Sequence, residues 1–303
     1  MSKQKVELLS PAGNLEKLKI AIKYGADAVY GGVSHFSLRI RASKEFTYET
    51  FKEAIDYAHE RGKKVYATIN GFPFNSQIEL LKTHIKKMAE LKPDAFIVAA
   101  PGVVRLCREI APQIDIHLST QANVLNYLDA QVFWDMGVKR IVVAREISLK
   151  DVMEIKKHLP DMEIEIFVHG SMCFAYSGRC LISAVQMGRV PNRGSCANDC
   201  RFEYTLYAGN DEHGSLFRLE EEPGVGTYIF NSKDMNLASH IQEILDSGAV
   251  DSLKIEGRTK SPYYAAVTAK AYREAIDDYY AGKFEPEKYQ KELHTTKNRG
   301  FTD

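Results

Sequence analysis

No apolar run in the 303-residue sequence approaches the ~20 residues that a membrane-spanning helix needs. The opening stretch, MSKQKVELLSPAG, also lacks the apolar core of a signal peptide. Neither sign of charge is in excess: 40 Lys and Arg balance 40 Asp and Glu. That balance excludes the global basic signature of many nucleic-acid binders and leaves room only for a local basic patch. Cysteine occurs five times, and nothing points to the oxidising compartment that a disulfide framework requires. A cytoplasmic, reducing location with no membrane partner is therefore the expectation. Also missing are the dinucleotide signature G-x-G-x-x-G, the Walker phosphate loop, the H-E-x-x-H zinc helix and the G-x-S-x-G nucleophile elbow.

What is present is concentrated. Four of the five cysteines, Cys173, Cys180, Cys196 and Cys200, fall between His169 and Arg201 with the spacing C-x6-C-x15-C-x3-C. Arg179, Arg189, Arg193 and Arg201 lie among them, and glycines recur at Gly170, Gly178, Gly188 and Gly194. Thiolates are soft ligands, and four together suit an iron–sulfur cluster or a structural zinc. The long C-x6-C interval departs from the short paired spacings of most zinc sites. Iron–sulfur, zinc and no metal all stay open on spacing alone. Cys107, in the helical pattern GVVRLCREI, reads as a small buried hydrophobe.

Along the chain, short β-branched runs alternate with amphipathic stretches of helical length. Strands are expected at Val6–Ser10, Ala28–Tyr30, Lys64–Ile69, Ala95–Ala99, Ile114–Ser119, Arg140–Ala144 and Glu163–Val168. Helices follow them, with Asn14 and Thr47 as N-caps and Gly25, Gly62 and Gly137 at ends. About seven β–α steps with short connections argue for a parallel sheet buried on both faces. A closed (β/α) barrel fits the count best, with an open doubly wound sheet as the alternative. The cysteine-rich segment then reads as an insertion after about the seventh strand. Beyond it, FEYTLYA and FRLEE suggest a hairpin-like excursion, and EEPGVGT reads as a loop. Tyr228–Asn231 and Ser252–Ile255 read as strands, and Leu237–Asp246 and Tyr263–Tyr280 as helices. Residues 284–303 read as a polar tail that stops without a closing element, as a linker cut short would.

In a barrel, polar residues just after each strand face the active-site mouth. Here these are Asn70, Gln121, Arg145, Glu146, His169, Asp234, Lys254, Glu256 and Arg258. Taken singly, each is as readily a cap or a solvated charge. As a set, with Arg193, they lean cationic and suit a phosphate or carboxylate. Asn70, Gln121, Arg145, Arg193, Lys254 and Arg258 are the candidates for binding substrate. His169, Asp234 and Glu256 are the candidates for acid–base chemistry, with an ion-pair role open for Glu256 and a packed strand-end role for His169. The tyrosines at 204 and 207 and along 263–280 read first as packing residues.

Five stretches carry a resemblance. ELLSPAGNLEKLKIAIKYGADAVYGG at 7–32, HGSMCFAYSGRC at 169–180, NRGSCANDCR at 192–201, NSKD at 231–234 and KIEGR at 254–258 resemble peptidase family U32, the collagenase-like proteases. Within it the chain looks most like the branch of transfer-RNA hydroxylation proteins. The resemblance implies a TIM-barrel-like domain, here residues 1–283, with a further C-terminal β domain in longer members. It implies a [4Fe–4S] cluster on cysteines matching Cys173, Cys180, Cys196 and Cys200. It also implies hydroxylation of uridine in transfer RNA to 5-hydroxyuridine, with prephenate as the small carboxylate co-substrate that donates oxygen. Two other functions stay in play: a peptidase of unassigned mechanism, and a non-enzymatic metal scaffold. Relatives often carry a cysteine just after NSKD, where this chain has Asn236.

Overall fold

In a computed structural model of the chain, residues 5–33, 36–38, 46–177, 179–202, 204–210, 212, 214–219 and 233–302 are described. Seven parallel strands come first: β1 Glu7–Pro11, β2 Ala28–Gly31, β3 Lys64–Ile69, β4 Ala95–Val98, β5 Asp115–Leu118, β6 Arg140–Val142 and β7 Glu163–Ser171. Six helices alternate with them: α1 Leu15–Lys23, α2 Tyr48–His59, α3 Ile78–Glu90, α4 Pro101–Ile110, α5 Tyr127–Asp135 and α6 Leu149–His158. After β7 come a short helix, α7 Ile182–Met187, and the antiparallel ribbon β8 Tyr207–Asn210 and β9 Ser215–Arg218. The chain then forms β10 Asp234–Asn236, α8 Ile241–Asp246, β11 Ser252–Ile255, α9 Pro262–Tyr280, α10 Pro286–Leu293 and β12 Phe301–Thr302.

The eight parallel strands run in the order β11-β1-β2-β3-β4-β5-β6-β7, and β11 pairs again with β7. That pairing, Ser252 beside Glu165 and Leu253 beside Ile166, closes the sheet and bears out the barrel over the open sheet. β10 adds to β7 in the antiparallel sense, and β12 pairs with β10.

The helices start where the sequence supplies caps. Asn14 Oδ1 accepts from Lys17 N, and Thr47 forms a reciprocal capping box with Thr50. α5 begins at Tyr127, because Asn126 caps it and a single 3₁₀ turn, Thr120–Ala122, comes before it. Between strands and helices lie two apolar layers. One, with Phe51, Ile85, Phe96, Val104 and Ile141, packs under α1–α6. The other, with Leu8, Val168, Leu253, Tyr272 and Ile276, packs under α8–α10.

Inside the barrel the packing is part apolar and part ionic. Leu9, Ala28, Tyr30, Tyr66, Ala95 and Ile97 form one buried cluster. Arg140 Nη1 donates to Glu7 at 2.5 Å and to Glu165 at 3.1 Å, while Glu163 takes its Nε at 2.8 Å. Lys254 Nζ meets the other oxygen of Glu165 at 2.6 Å, and Tyr66 donates to Glu7 at 2.6 Å. Burial opposes the charge of Glu7, but Arg140 outweighs it and holds the carboxyl below its usual range.

The stretch 284–303 differs from the expected polar tail. Tyr289 and Leu293 on α10 are 1% and 0% exposed and pack against α9, and β12 extends the sheet. Glu, Lys and Gln surround this single apolar pair, and so disguise it in the sequence. The expected strand at Tyr228–Asn231 and the loop EEPGVGT lie outside the described residues.

Candidate active site

The carboxyl ends of the barrel strands open into a cavity of about 870 Å³, its open mouth included. Six of the strand-end residues line it: Asn70, Gln121, Arg145, Lys254, Glu256 and Arg258. Cys173, Tyr176, Ser177, Cys180, Pro191 and Cys196, from the segment that follows β7, supply another wall. Cavity and cysteines are thus one site.

Each cation is already held by the protein. Arg258, 5% exposed, donates to Ser37 Oγ at 2.8 Å, to Thr68 Oγ1 at 3.3 Å and to the Leu38 carbonyl. Gly32 makes that seat possible, since a Cβ there would stand 2.4 Å from Thr68 Oγ1 and 2.7 Å from Ser37 Oγ. Lys254 is fixed from below by Glu165 and lies 4.5 Å from the Tyr30 ring centroid. Arg145 stacks over Phe167 at 4.1 Å and donates to Ser177 Oγ at 2.8 Å and Glu256 at 3.3 Å. It also reaches Cys173 Sγ at 3.5 Å. With three cations against Glu256, the lining keeps the positive character that an anionic ligand prefers.

Of the other four, Glu146 is exposed and outside the cavity lining, and three sit elsewhere. Arg193 donates to Gln77 Oε1 at 3.3 Å and covers the Phe74 ring at 4.0 Å, so it ties the cysteine segment to the loop after β3. Asp234 is buried against Arg299, 2.5 Å away, with Lys260 at 3.9 Å. His169 is 1% exposed and packs against Tyr272, Tyr264 and Phe301, away from the cavity lining. Burial pushes its pKa down to about 3, against the pull of Asp234, so the ring is neutral. Sequence reasoning missed Tyr30, Thr68, Phe167, Tyr176 and the anchor Glu165. The signal for Glu165 was a carboxylate alternating with isoleucine in EIEIF, which places it on the inner face of a strand.

All four clustered thiols are free and half-buried. Burial pushes the Cys200 thiol up; Arg201 opposes this, and the sulfurs of Cys196 and Cys173 add to it. Thiols that repel one another's charged forms are a set that a metal would relieve. Donors already face three of the sulfurs: Arg145 at Cys173, Ile182 N at Cys180 at 3.4 Å, and Ser183 Oγ at Cys196 at 4.0 Å. Among the described residues no three of His, Cys, Asp and Glu converge on a point that a single ion could occupy. A tetrahedral zinc, bound at about 2.3 Å per sulfur, needs that convergence. Cys107 stands apart, fully buried, with its pKa pushed up to about 12 by burial.

With that geometry in view, comparison with known proteins is decisive on family. The sequence profile of peptidase family U32 matches residues 13–303. The chain belongs to peptidase family U32. A tRNA hydroxylation protein P of Helicobacter pylori is 73% identical over 98% of this chain and 71% of its own length. An Escherichia coli 23S rRNA 5-hydroxycytidine synthase is 35% identical over 91% of this chain and 40% of its own. Among solved structures, a U32 peptidase superposes with a TM-score of 0.53 at 16% identity, covering 85% of this chain and 95% of its own. That likeness speaks for the fold alone. No helix among the described residues is long and apolar enough to cross a membrane.

Proposed function

We propose that this U32 family chain is an iron–sulfur-dependent RNA hydroxylase that acts on uridine of transfer RNA and forms 5-hydroxyuridine. The observation that carries the reading is the single cavity shared by three cluster-type cysteines and the cationic strand-end residues. A mere scaffold would have no use for a cavity walled with engaged arginines. The high identity to a protein named for tRNA hydroxylation supports RNA as the substrate.

Hydroxylation replaces a ring C–H by C–OH, a two-electron oxidation of the base, so the oxygen donor must itself take up two electrons or an external two-electron acceptor must accompany it. Cys173, Cys180, Cys196 and Cys200 would hold a [4Fe–4S] cluster, and such a cluster supplies one-electron transfer. The chain's own residues do the rest. Arg145, Lys254 and Arg258 attract the carboxylates of a small co-substrate, with prephenate as the proposed donor. Glu165, Glu256 and the Ser37–Thr68 pair fix those cations, so that little reorganisation is needed when the ligand arrives. The base has to leave its stack to enter the cavity.

The peptidase reading has less support. A cysteine-nucleophile peptidase needs a base beside its thiol, yet no histidine lines the cavity among the described residues, and His169 is neutral and packed against Tyr272. The test is anaerobic purification with iron, sulfide and zinc analysis, followed by nucleoside analysis of RNA from cells lacking the gene and any second family member. About four irons per chain and loss of a hydroxylated uridine are expected. Stoichiometric zinc, or an unchanged nucleoside profile, would refute the reading.

A further inference from the structure

One polar atom of the cavity wall has no partner. Gln121, 3% exposed, lines the cavity, and its Nε2 makes no hydrogen bond. The direction of that amide agrees with a relay that starts on the backbone. Leu38 N can only donate, and it donates to Asn70 Oδ1 at 3.1 Å. Asn70 must therefore turn its Nδ2 to Ser119 Oγ, 3.5 Å away. Ser119 Oγ, receiving that proton, gives its own to Gln121 Oε1 at 3.3 Å. The remaining atom, Nε2, can only be a donor. A buried amide left unpaired is destabilising, and a ligand oxygen in the cavity would offset that cost.

The acceptor it awaits is neutral rather than ionic. Arg145, Lys254 and Arg258 already supply charged donors suited to a carboxylate. A lone amide N–H suits a carbonyl. Opposite chemistry stands at the mouth: Tyr176 lines the cavity yet is 55% exposed, on a segment with an unusual charge. Across residues 172–202 there are four arginines and one aspartate, a balance of +3, and that aspartate, Asp199, is buried. An exposed ring among arginines fits the unpaired bases and phosphates of a single-stranded RNA loop.

We propose that the cavity receives a pyrimidine ring, with Gln121 Nε2 donating to a ring carbonyl oxygen and Tyr176 stacking on the ring at the mouth. This assignment rests on the RNA hydroxylase reading and adds which residues touch the base. Uracil, cytosine and guanine carry a ring carbonyl and adenine does not, so Gln121 is a specificity-determining residue against adenine, and Tyr176 a positioning one.

The test is fluorescence anisotropy with a synthetic RNA stem-loop whose loop carries uridines, using anaerobically prepared full chains of matched iron content. Gln121→Leu and Tyr176→Ala are expected to weaken binding about ten-fold each. Tyr176→Phe keeps the ring and binds as the native chain does. So does Tyr24→Ala, an exposed tyrosine just past the end of α1. Should either weakened variant fail to load iron, the native chain is instead photo-crosslinked to the same stem-loop carrying 4-thiouridine. Adducts on the peptides holding Gln121 and Tyr176 support the proposal. Native-like affinity in both weakened variants, or adducts confined to other peptides, overturns it while RNA binding itself stands. A native chain that does not bind the stem-loop brings down the RNA reading, and the proposal with it.

Discussion

Glu165 in the barrel is fully buried, with one carboxylate oxygen on Lys254 and the other on Arg140. In the segment that follows the same strand, Leu181 and Val185 stand 72% and 81% exposed, with Phe174, Tyr176 and Met187 close to half exposed. The two regions invert the usual placement of residues. The barrel buries charges and pairs them, whereas the cysteine segment shows apolar side chains to solvent. A barrel closed by β7–β11 pairing and sheathed by two apolar layers carries its own stability. The segment has one six-residue helix, α7, and two 3₁₀ turns, with Ser183, Pro191 and Asp199 as the buried residues of those elements. That is little core to fold on, and under the proposed function a cluster held by its cysteines would supply the rest of its order.

The sharpest break of this contrast is to remove a ligand. Cys173→Ser, Cys180→Ser, Cys196→Ser or Cys200→Ser is expected to abolish the metal centre and expose residues 172–202 to proteases, while the barrel's unfolding transition stays in place. Cys107→Ser keeps its metal. Iron and sulfide assays with limited proteolysis decide it, and native iron content in any of the four sinks the ligand assignment. Next in size comes the barrel. Glu165→Ala leaves Lys254 buried without its carboxylate and takes one of three carboxylate partners from Arg140, and a loss of about 3–5 kcal/mol is expected in urea unfolding. Glu79→Ala removes an exposed pair with Lys82 and should cost at most about 1 kcal/mol. Equal effects from the two would mean that the interior charges are better solvated than their burial implies.

How much of this was legible depends on whether the signal is local. The strands at 64–69 and 163–168 and the caps at Asn14 and Thr47 announce themselves within a few residues, and the structure has them there. Strand-end position alone put Asn70, Gln121 and Arg258 at the mouth. Closure was not local: β7 and β11 pair across residues 172–251, in which no described residue belongs to a barrel strand. Nor was the fate of the last twenty residues, where one i, i+4 pair, Tyr289 and Leu293, does the anchoring amid charge. Leu293→Ala is expected to cost about 2–5 kcal/mol in the same unfolding assay. A negligible cost would restore the tail to a loosely attached linker.

The smallest effect falls on the boundary between the two regions. His169 is the third-last residue of β7, the last barrel strand before the cysteines, and Phe301 of β12 covers it from the far end of the chain. Burial lowers its pKa to about 3, with Asp234 pulling up and Lys260 pushing down. In the unfolded chain the imidazole titrates near 6.5. The unfolded state therefore binds the extra proton first as pH falls. Stability from the neutral ring is complete above about 6.5 and is lost between there and about 3, at about 1.4 kcal/mol per pH unit. His117, also held neutral by burial, and Glu7, held ionised by Arg140, lose stability in the same direction. Only the difference between the native chain and His169→Gln isolates the residue. The variant's stability is expected to fall less steeply between pH 6 and pH 4 (the upper part of that window), as followed by urea unfolding. Parallel curves would mean that water reaches His169, and that the root of the cysteine segment shares its openness rather than the barrel's closure.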